Sequence, residues 1–526
     1  MRERKEMNKK EANEKLNIPK EIRLVMADLE KAGFEAYAVG GCVRDLLLGR
    51  EPNDWDVTTN ATPSELRRIF PKSFYENKFF TVTVQTESKD PTLKEIEITT
   101  FRKESRYEDK RHPSEVRQAK TLEEDLSRRD FTINAMALDG GGKLVDHFGG
   151  QDSIAKKIIR TVGDPKERFS EDALRMLRAI RFAGKFGFTI EKETMDAIKG
   201  NAGWIQAISK ERIRDEFIKI ISGQNPKETL EILHEAGLMK YVLPELEEGI
   251  GVDQRGPHKY QVWEHNLRAL DYAARENWTT RVRTAALLHD VAKPRTREWR
   301  NNMWTFYGHD VLGAKMSFAI LRRLKFPREE IDAVAKLIRW HLFNYKLKRD
   351  DQYHKDIKAL GEEPKDIEDS EADTQETTDS AVRRLIRNVG EDLIYDLIKV
   401  RVCDRIATGV PKAVPYRLRH FQFRVEKILR EHEAIKVSML AVRGDDVMRI
   451  LEIEPSPKVG HVLNALLEEV LDDPQKNNKD YLERRVKELG KLSDEELTRL
   501  REKAEEKTGL IESEREQEIK KKYRVK

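Results

Sequence analysis

Two carboxylates one residue apart, Asp54 and Asp56, are the first side chains whose types and spacing point to chemistry. Alternate residues of a strand lie on one face, so DWDVTT (54–59), as a strand, would project both carboxylates together and turn Trp55 into the core. Neighbouring carboxylates repel each other, and a divalent cation relieves that repulsion. Because Mg²⁺ takes one or two carboxylates and keeps positions for water and substrate phosphates, the pair would suit magnesium-assisted phosphoryl chemistry.

Residues on either side of this pair strengthen the prediction. Gly40 and Gly41 would let backbone N–H groups approach a triphosphate, and Arg44 would add charge-assisted hydrogen bonds to it. Glu97 would supply a third carboxylate from a neighbouring strand. A lone D-x-D pair is more typical of a turn in which Asp caps the backbone. The glycine pair and Glu97 together favour the metal site.

The elements that must position these residues form a small α/β pattern. Apolar residues at helical spacing that end in glycine predict a helix over 21–33. Strands are predicted at EAYAVGG (35–41), DWDVTT (54–59), FTVTVQT (80–86) and EIEITTF (95–101), with a short helix at CVRDLLLGR (42–50). Beyond residue 150 nearly every segment has helical spacing. The predicted fold class is therefore α+β, a small mixed-sheet head followed by a mostly α-helical neck, body and tail.

Composition limits the class of protein. The 526 residues predict several domains, with 38% hydrophobic residues for their cores and 37% charged residues for a highly polar surface. Because 99 basic and 95 acidic residues leave a net charge of only +4, a nucleic-acid partner would bind local basic patches. Two cysteines exclude a disulfide scaffold, and neither a membrane span nor a signal peptide is recognisable. We expect a cytoplasmic protein that makes no membrane contact.

Five ordered motifs resemble one known family. They are GGCVRDLLLGREPNDWDVTTNATP (40–63), RRDFTINAMALD (128–139), DHFGG (146–150), EDALRMLRAIRFAGKFGF (171–188) and KERIRDEF (210–217). In order and spacing they are similar to class II tRNA nucleotidyltransferases and bacterial poly(A) polymerases, within the polymerase-β-like superfamily. The resemblance implies a tRNA nucleotidyltransferase that adds CCA, or its terminal A, to tRNA from CTP and ATP without a nucleic-acid template.

The resemblance also implies how the base is selected. Glu171, Asp172 and Arg175 would read the Watson–Crick edge of the incoming cytosine or adenine, since Asp172 offers an acceptor and Arg175 a donor fork. Their spacing of three predicts that Asp172 and Arg175 share one helix face. Glu171 is expected to hold Arg175 or its neighbours in place. The alternative, without a role in base recognition, is an ion pair on a solvent-exposed helix.

Two further groups of nucleotide-binding residues follow from the resemblance. Arg129 and Asp130 are expected to bind the ribose hydroxyls, and Arg178 to contact the nucleotide. An alternative, compatible with that role, makes Asp130 the cap of a helix at TINAMAL (132–138).

A polar stretch without clear periodicity, FRKESRYEDKRHPSEV (101–116), predicts a long loop. In the family a loop at this place helps to change specificity from CTP to ATP, so its presence implies A addition. Full CCA addition and A-only addition both stay open. The candidate specificity residues of this stretch are Arg102, Arg106, Asp109 and Arg111.

A second set of residues predicts a different chemistry between 257 and 404. Imidazole and carboxylate groups suit transition metals and their hydrolytic water, and the adjacent His-Asp pair resembles the HD-type phosphohydrolase domain. Lys293, three residues after that pair, could reach a phosphate. Taken singly, His309 and His341 are more typical of structural histidines. The candidate ligands of a divalent transition metal are His265, His289, Asp290, His309, His341 and Asp404.

The predicted organisation has six parts. They are a flexible N-terminus (1–20), a nucleotidyltransferase head (21–150), a helical neck with the nucleotide-selecting helix (151–235), an HD-type body (236–425) with an acidic insertion or linker (349–380), a helical RNA-binding tail (426–495) and a charged C-terminal helix or tail (496–526). Two alternatives to CCA addition remain. One is a poly(A) polymerase, and the other is a metal-dependent HD phosphohydrolase that acts on RNA ends or nucleotides.

Overall fold

A computed structural model describes most of the chain. The described residues are 16–76, 80–107, 113–254, 259–300, 303–345, 377–409, 414–433, 440–472, 474–493, 495–499, 513 and 516–525. They divide into two compact units. The first contains the described residues up to 339 together with 403–409, and the second contains the remainder.

A seven-stranded mixed sheet forms the start of the first unit, in the order β3-β4-β5-β2-β1-β8-β9. Its strands are β1 (Ala36–Val39), β2 (Asp56–Thr59), β3 (Ser73–Glu76), β4 (Thr81–Gln85), β5 (Glu95–Thr100), β8 (Ala137–Leu138) and β9 (Leu144–Val145). β2 and β5 run parallel, and the other neighbours run antiparallel. This sheet confirms the predicted mixed-sheet head.

Short helices position the sheet and its loops. Ile22, Met26 and Leu29 lie on one face of the first helix and are fully buried in the core that also contains Val57 and Ile98 of the sheet. The helices of this region are α1 (Lys20–Lys31), α2 (Gly41–Leu47), α3 (Pro63–Ile69), α4 (Leu122–Ser127) and α5 (Gly150–Ala155), with a 3₁₀ turn at Thr132–Asn134.

Helices dominate the rest of the first unit, as predicted. They are α6 (Pro165–Glu171), α7 (Leu174–Phe186), α8 (Lys192–Asn201), α9 (Lys210–Ile221), α10 (Pro226–Glu235), α11 (Met239–Val242), α12 (Pro244–Glu247), α13 (Val262–Arg275), α14 (Thr280–Leu288), α15 (Lys293–Thr296), α16 (His309–Arg323) and α17 (Arg328–Trp340), with a 3₁₀ segment at Ala202–Ala207. Two pairs of short strands accompany them. These are β10 (Ile158–Ile159) with β11 (Thr189–Ile190), and β12 (Glu298–Arg300) with β13 (Met303–Thr305).

The predicted long loop at 101–116 is wrong. The stretch contains β6 (Arg102–Tyr107) and β7 (Pro113–Gln118), which pair antiparallel with Arg102 opposite Gln118. Apolar alternation reports the burial of one strand face, whereas strand pairing itself needs only backbone hydrogen bonds. A polar two-stranded ribbon therefore leaves no apolar signal. The helix considered at TINAMAL is also wrong, because only one 3₁₀ turn forms before Ala137 and Leu138 pair with β1 and β9.

The second unit is helical where it is described. Its helices are α18 (Asp379–Val389), most of α19 (Ile394–Ala407), α20 (Tyr416–Glu433), α21 (Gly444–Leu451), α22 (Pro457–Asp472) and α23 (Lys479–Leu489). Most of the predicted acidic insertion, 349–380, falls outside the described residues, although its last two residues begin α18. Among the described helices, none combines the length and apolar character that crossing a membrane requires.

Candidate functional site

The paired aspartates stand at the start of the central strand of the head. Asp56 is the first residue of β2, and Asp54 lies in the bend just before it. Trp55 between them is 4% exposed and belongs to the core, so both carboxylates face a common cleft. Glu97 of β5 is in register with Asp56. Burial and the charges of Asp54 and Glu97 raise the pKa of Asp56 to about 6, although Arg129 opposes the shift.

The glycine turn joins β1 to α2 directly beside this carboxylate group. Gly40 has a φ of +84°, and a Cβ there would stand 2.6 Å from Nη1 of Arg129. Both features favour glycine. Arg44, on the first turns of α2, is buried and donates from Nη1 to Oδ1 of Asn134 (2.6 Å) and from Nε to Oδ1 of Asp45 (2.8 Å). These two bonds fix the direction of the Arg44 guanidinium.

Asp130 is buried and accepts hydrogen bonds at both oxygens. Oδ1 accepts from Phe131 N (2.8 Å) and Asn134 Nδ2 (3.0 Å), while Oδ2 accepts from Arg178 Nε (2.8 Å). Burial alone would raise the pKa of Asp130, but Arg178, Asn134 and Arg175 outweigh it and lower the pKa to about 2. Asp130 is therefore ionised at neutral pH and holds Arg178 in place.

The predicted shared helix face of Asp172 and Arg175 is wrong. Asp172 follows the end of α6 in an extended conformation, with φ −145° and ψ 104°, and α7 begins at Leu174. The Asp172 side chain accepts from the backbone N–H of Leu174 (3.1 Å), and so it satisfies a donor at the start of α7 that has no acceptor within that helix. Both residues nevertheless line the same cleft.

Ion pairs hold these two side chains in fixed directions. Arg212 of α9 binds Asp172 through two parallel bonds, Nη2 to Oδ2 (2.6 Å) and Nη1 to Oδ1 (3.2 Å). Glu171 forms a close ion pair with Arg175 and another with Arg168 (2.8 Å). Arg175 also donates to the carbonyl oxygen of Arg128 (3.1 Å). The resulting arrangement presents an acceptor and a donor fork with little freedom to rotate.

One cleft of about 800 Å³ collects most of the candidate residues. Those that line it are Gly41, Arg44, Asp54, Asp56, Arg102, Arg129, Asp130, Asp172, Arg175 and Arg178. Gly40, Glu97 and Glu171 lie beside lining residues instead. Arg106 lies in β6, and Asp109 and Arg111 fall outside the described residues.

Sequence reasoning missed several residues of this cleft. Arg212 lies in KERIRDEF (210–217), a motif that was recognised without a role for any member. Asn134 bridges Arg44 and Asp130, and Arg181 contributes another guanidinium to the lining. The available signal for Arg212 was its place in a motif. No local pattern indicated its pairing with Asp172, 40 residues earlier.

A second cluster lies among the helices of the first unit. One ligand atom from each of His265, His289, Asp290 and Asp404 lies within 4.8 Å of the others, and all four residues are buried. The two histidine Nε2 atoms are 3.0 Å apart, and His265 Nε2 is 3.2 Å from an oxygen of each aspartate. Burial disfavours a charged imidazole, but Asp290 and Asp404 prevail and raise the pKa of His289 to about 10. The pocket therefore attracts positive charge.

Neighbouring groups orient the ligands of this cluster. His289 Nδ1 faces the carbonyl oxygen of Ala286 (2.8 Å), which assigns a proton to Nδ1, so a metal would bind at Nε2 in place of the proton there. Lys293 Nζ is 2.6 Å from Asp290 Oδ2, and His309 Nε2 is 3.3 Å from Asp290 Oδ1. His341 is buried directly after α17, in the second unit. Two nitrogen and two oxygen donors fit a divalent transition metal.

Three family models match the chain in succession. A Poly A polymerase head domain matches residues 36–160, a Probable RNA and SrmB-binding site of polymerase A matches 187–250, and an HD domain matches 262–407. The first range contains the paired aspartates, and the third contains the four-residue His–Asp cluster.

Two curated relatives indicate the family to which the chain belongs. A CCA-adding enzyme of Geobacillus sp. (strain WCH70) is 41% identical over 321 residues, which is 60% of this chain and 68% of the relative. The chain belongs to the CCA-adding enzyme family. A second relative of that name, from Geobacillus thermodenitrificans, is 39% identical over 60% of this chain and 68% of its own length. As a member of this family, the protein is a nucleotidyltransferase, as predicted.

A solved structure agrees with this assignment. The Bacillus stearothermophilus CCA-adding enzyme, solved in complex with CTP, is 29% identical, with a TM-score of 0.53 over 90% of this chain and 98% of that structure. The α+β class and the mixed-sheet head are thus shared with a CCA-adding enzyme.

Proposed function

We propose that this protein adds CCA, or its terminal A, to the 3′ end of tRNA from CTP and ATP. The observation that carries the proposal is the common cleft, in which Asp54 and Asp56 lie together with Asp172 and Arg175. Carboxylates for metal ions and a charged pair for base recognition are thus available to one nucleotide. Relatives named CCA-adding enzymes, and a related structure that contains CTP, support the same substrates.

The carboxylates fit magnesium. Oxygen donors are the ligands that Mg²⁺ prefers, and the carboxylates of Asp54 and Glu97 add to the rise that burial causes in the pKa of Asp56, so they are close enough to share a cation with it. We assign Asp54 and Asp56 as ligands, with Glu97 as a supporting carboxylate beside Asp56. When bound, Mg²⁺ would lower the pKa of the tRNA 3′ hydroxyl and neutralise charge on the leaving pyrophosphate.

The nucleotide would be held by side chains and backbone groups of the same cleft. Arg44 and Arg129 lie where a triphosphate near the metal ligands would need positive charge, and the backbone beside Gly41 allows close approach. We assign Asp130 and Arg129 to the ribose. Arg102, at the base of the β6–β7 ribbon, lines the cleft and is our candidate for the change from C to A addition.

Base selection would follow from the fixed directions of Asp172 and Arg175. An acceptor beside a donor fork matches the exocyclic amine and ring acceptors of cytosine and, after a small shift, those of adenine. Uracil and guanine would place a donor against the Arg175 guanidinium or an acceptor against the Asp172 carboxylate, a mismatch that costs about 1–3 kcal/mol. The tRNA itself would be recognised by shape and backbone contacts.

The test is single-nucleotide incorporation into a tRNA that lacks its CCA end. Asp54→Ala and Asp56→Ala are each expected to reduce CMP incorporation by at least about a thousandfold, because each removes a metal ligand. Asp152→Ala is the matched control, since Asp152 pairs only with surface Lys156 (2.7 Å) among the contacts described. A near-normal rate in either cleft variant would refute the metal assignment.

The His–Asp cluster supports a second candidate function. We propose that it binds a divalent transition metal and hydrolyses phosphate esters of RNA ends or nucleotides, since its four donors converge and Lys293 stands beside Asp290. The measurements are the metal content of the purified protein and hydrolysis of phosphomonoesters and phosphodiesters. Asp404→Asn should reduce both the bound metal and the hydrolysis. If the variant kept both the bound metal and the hydrolysis, the cluster could not be the site of either.

A further inference from the structure

A surface beside the His–Asp cluster carries exposed aromatic rings. The hairpin of β12 and β13 places Trp299 opposite Trp304, and their rings meet edge to face with centroids 4.9 Å apart. The exposed fractions are 48% for Trp299, 56% for Met303 and 76% for Tyr307. Large apolar side chains that are exposed together mark binding surfaces.

Guanidinium groups are interleaved with these rings. The Cζ atom of Arg297 lies 3.8 Å from the centroid of Trp304, and that of Arg300 lies 5.9 Å from the centroid of Tyr307. Rings offer faces on which bases stack, and guanidinium groups bind the phosphates between them. This combination is typical of surfaces for single-stranded nucleic acid.

The aromatic hairpin is continuous with the His–Asp cluster. Lys293 precedes it, and the Lys293 Nζ atom is 2.6 Å from Asp290 and 5.7 Å from the ring centroid of Phe306. His309 follows it, and the Nδ1 atom of His309 is 2.6 Å from the carbonyl oxygen of Phe306. Phe306 therefore connects the end of the hairpin to Lys293 and His309, two of the residues that contact Asp290.

We propose that Trp299 and Tyr307, with Arg297 and Arg300, bind the terminal bases of a single-stranded RNA beside the His–Asp cluster. The inference rests on the phosphohydrolase proposed above and names its substrate class. Stacking tolerates every base, so recognition should depend on a single-stranded end and hardly on its sequence.

Photo-crosslinking of the full chain to a hexaribonucleotide that contains 4-thiouridine tests the proposal. We expect adducts on peptides that contain Trp299 or Tyr307. Trp299→Ala should raise the RNA concentration for half-maximal crosslinking at Tyr307 by about fivefold or more, and Trp299→Phe should restore it. The control is Phe74→Ala, since Phe74 is a similarly exposed ring (62%) in β3. A lack of adducts at the hairpin, or equal effects of Trp299→Ala and Phe74→Ala, would overturn the proposal.

Asp404→Asn separates this proposal from the hydrolytic activity. It should abolish hydrolysis and leave crosslinking at Tyr307 unchanged. Hairpin adducts without any hydrolysis by the native protein would support RNA binding and refute the phosphohydrolase. If Trp299→Ala hydrolyses RNA ends as fast as the native protein does, the hairpin proposal is refuted but the phosphohydrolase proposal is not.

Discussion

Asp172 depends on a partner that lies far away in the sequence. It follows the end of α6 in an extended conformation, and the two bonds from Arg212 fix its carboxylate in the cleft. Arg212 is thus a positioning residue for base recognition in our proposal. Its loss should affect the choice of nucleotide more than the binding of tRNA.

Arg212→Ala tests this dependence. We expect the preference for CTP over UTP, measured as the ratio of kcat/KM values, to fall by about tenfold, because a misdirected carboxylate no longer penalises uracil. Arg214→Ala is the matched control on the same helix, since Arg214 binds Asp215 and the carbonyl oxygen of Lys325 and does not line the cleft. An unchanged preference in Arg212→Ala would remove Arg212 from base selection.

The ionised carboxylate of Asp130 contributes to the free energy of unfolding. Its pKa of about 2 lies below the ordinary value of 3.8, so the folded state favours the ionised form. The stabilisation, about 2 kcal/mol, is fully present above about pH 4 and is lost as the pH falls towards 2. We therefore expect Asp130→Asn to lower the free energy of unfolding by about that amount at pH 7.

Urea unfolding at pH 7 and pH 3 measures this contribution, with surface Asp152→Asn as the control. The difference between native protein and Asp130→Asn should be smaller at pH 3. A difference that stays constant or grows on acidification would show that the ionised carboxylate is not the source of the stabilisation.

The contact between α7 and α10 holds in place the helix that carries Arg175 and Arg178. Gly184 of α7 lies against Thr229 of α10, and a Cβ on Gly184 would stand 1.8 Å from the Thr229 hydroxyl oxygen and 2.8 Å from its Cβ. Asn225, which precedes α10, also donates to the carbonyl oxygen of Gly184 (3.2 Å). A side chain at Gly184 would push the two helices apart.

Gly184→Ala should therefore destabilise the first unit by about 1–3 kcal/mol, the usual cost of overpacking. Adding Thr229→Ala should recover part of the loss, because it removes the closest atom. Gly200→Ala is the control, since Gly200 of α8 has open space around it and alanine favours a helix. Thermal unfolding measures all four proteins, and a Gly184→Ala variant as stable as Gly200→Ala would contradict the tight contact.

Whether the sequence predicted an element depended on the physical property that its residue pattern reflects, such as burial of one face. Strands with one buried face, such as β4 and β5, were recognisable because apolar alternation reports burial. The β6–β7 ribbon was not recognisable, because its pairing is made by the backbone. The break at Asp172 was also hidden, since a side chain that caps the next helix overrides a helical spacing.

At the scale of the whole molecule, the lining of the cleft and the four-residue His–Asp cluster belong to the first unit, whereas the candidate ligand His341 belongs to the second. Residues from Gly41 to Arg212 line one cleft, and a separate His–Asp cluster is built from α13, the α14–α15 turn and Asp404. Motif order predicted two separate groups of residues, one for each site. The pairings between distant residues, such as Arg44 with Asn134, needed the folded chain.

Two metal sites of different donor type predict different responses to chelation. EDTA should stop nucleotide incorporation, and Mg²⁺ alone should restore it through the oxygen donors of Asp54 and Asp56. Hydrolysis at the His–Asp cluster should return only with a transition metal, because nitrogen donors favour such ions. Recovery of both activities with Mg²⁺ alone would contradict the assignment of two chemically distinct sites.

The sequence of the added nucleotides tests the central claim most directly. Native protein would be incubated with all four nucleoside triphosphates and a tRNA that lacks its 3′ end, and the product ends would be sequenced. If one cleft both binds the metal ions and selects the base, the products should end in CCA, or in a single A where CC is supplied, and then stop. Long A tails would identify a poly(A) polymerase, and ends with U or G would contradict base selection by Asp172 and Arg175.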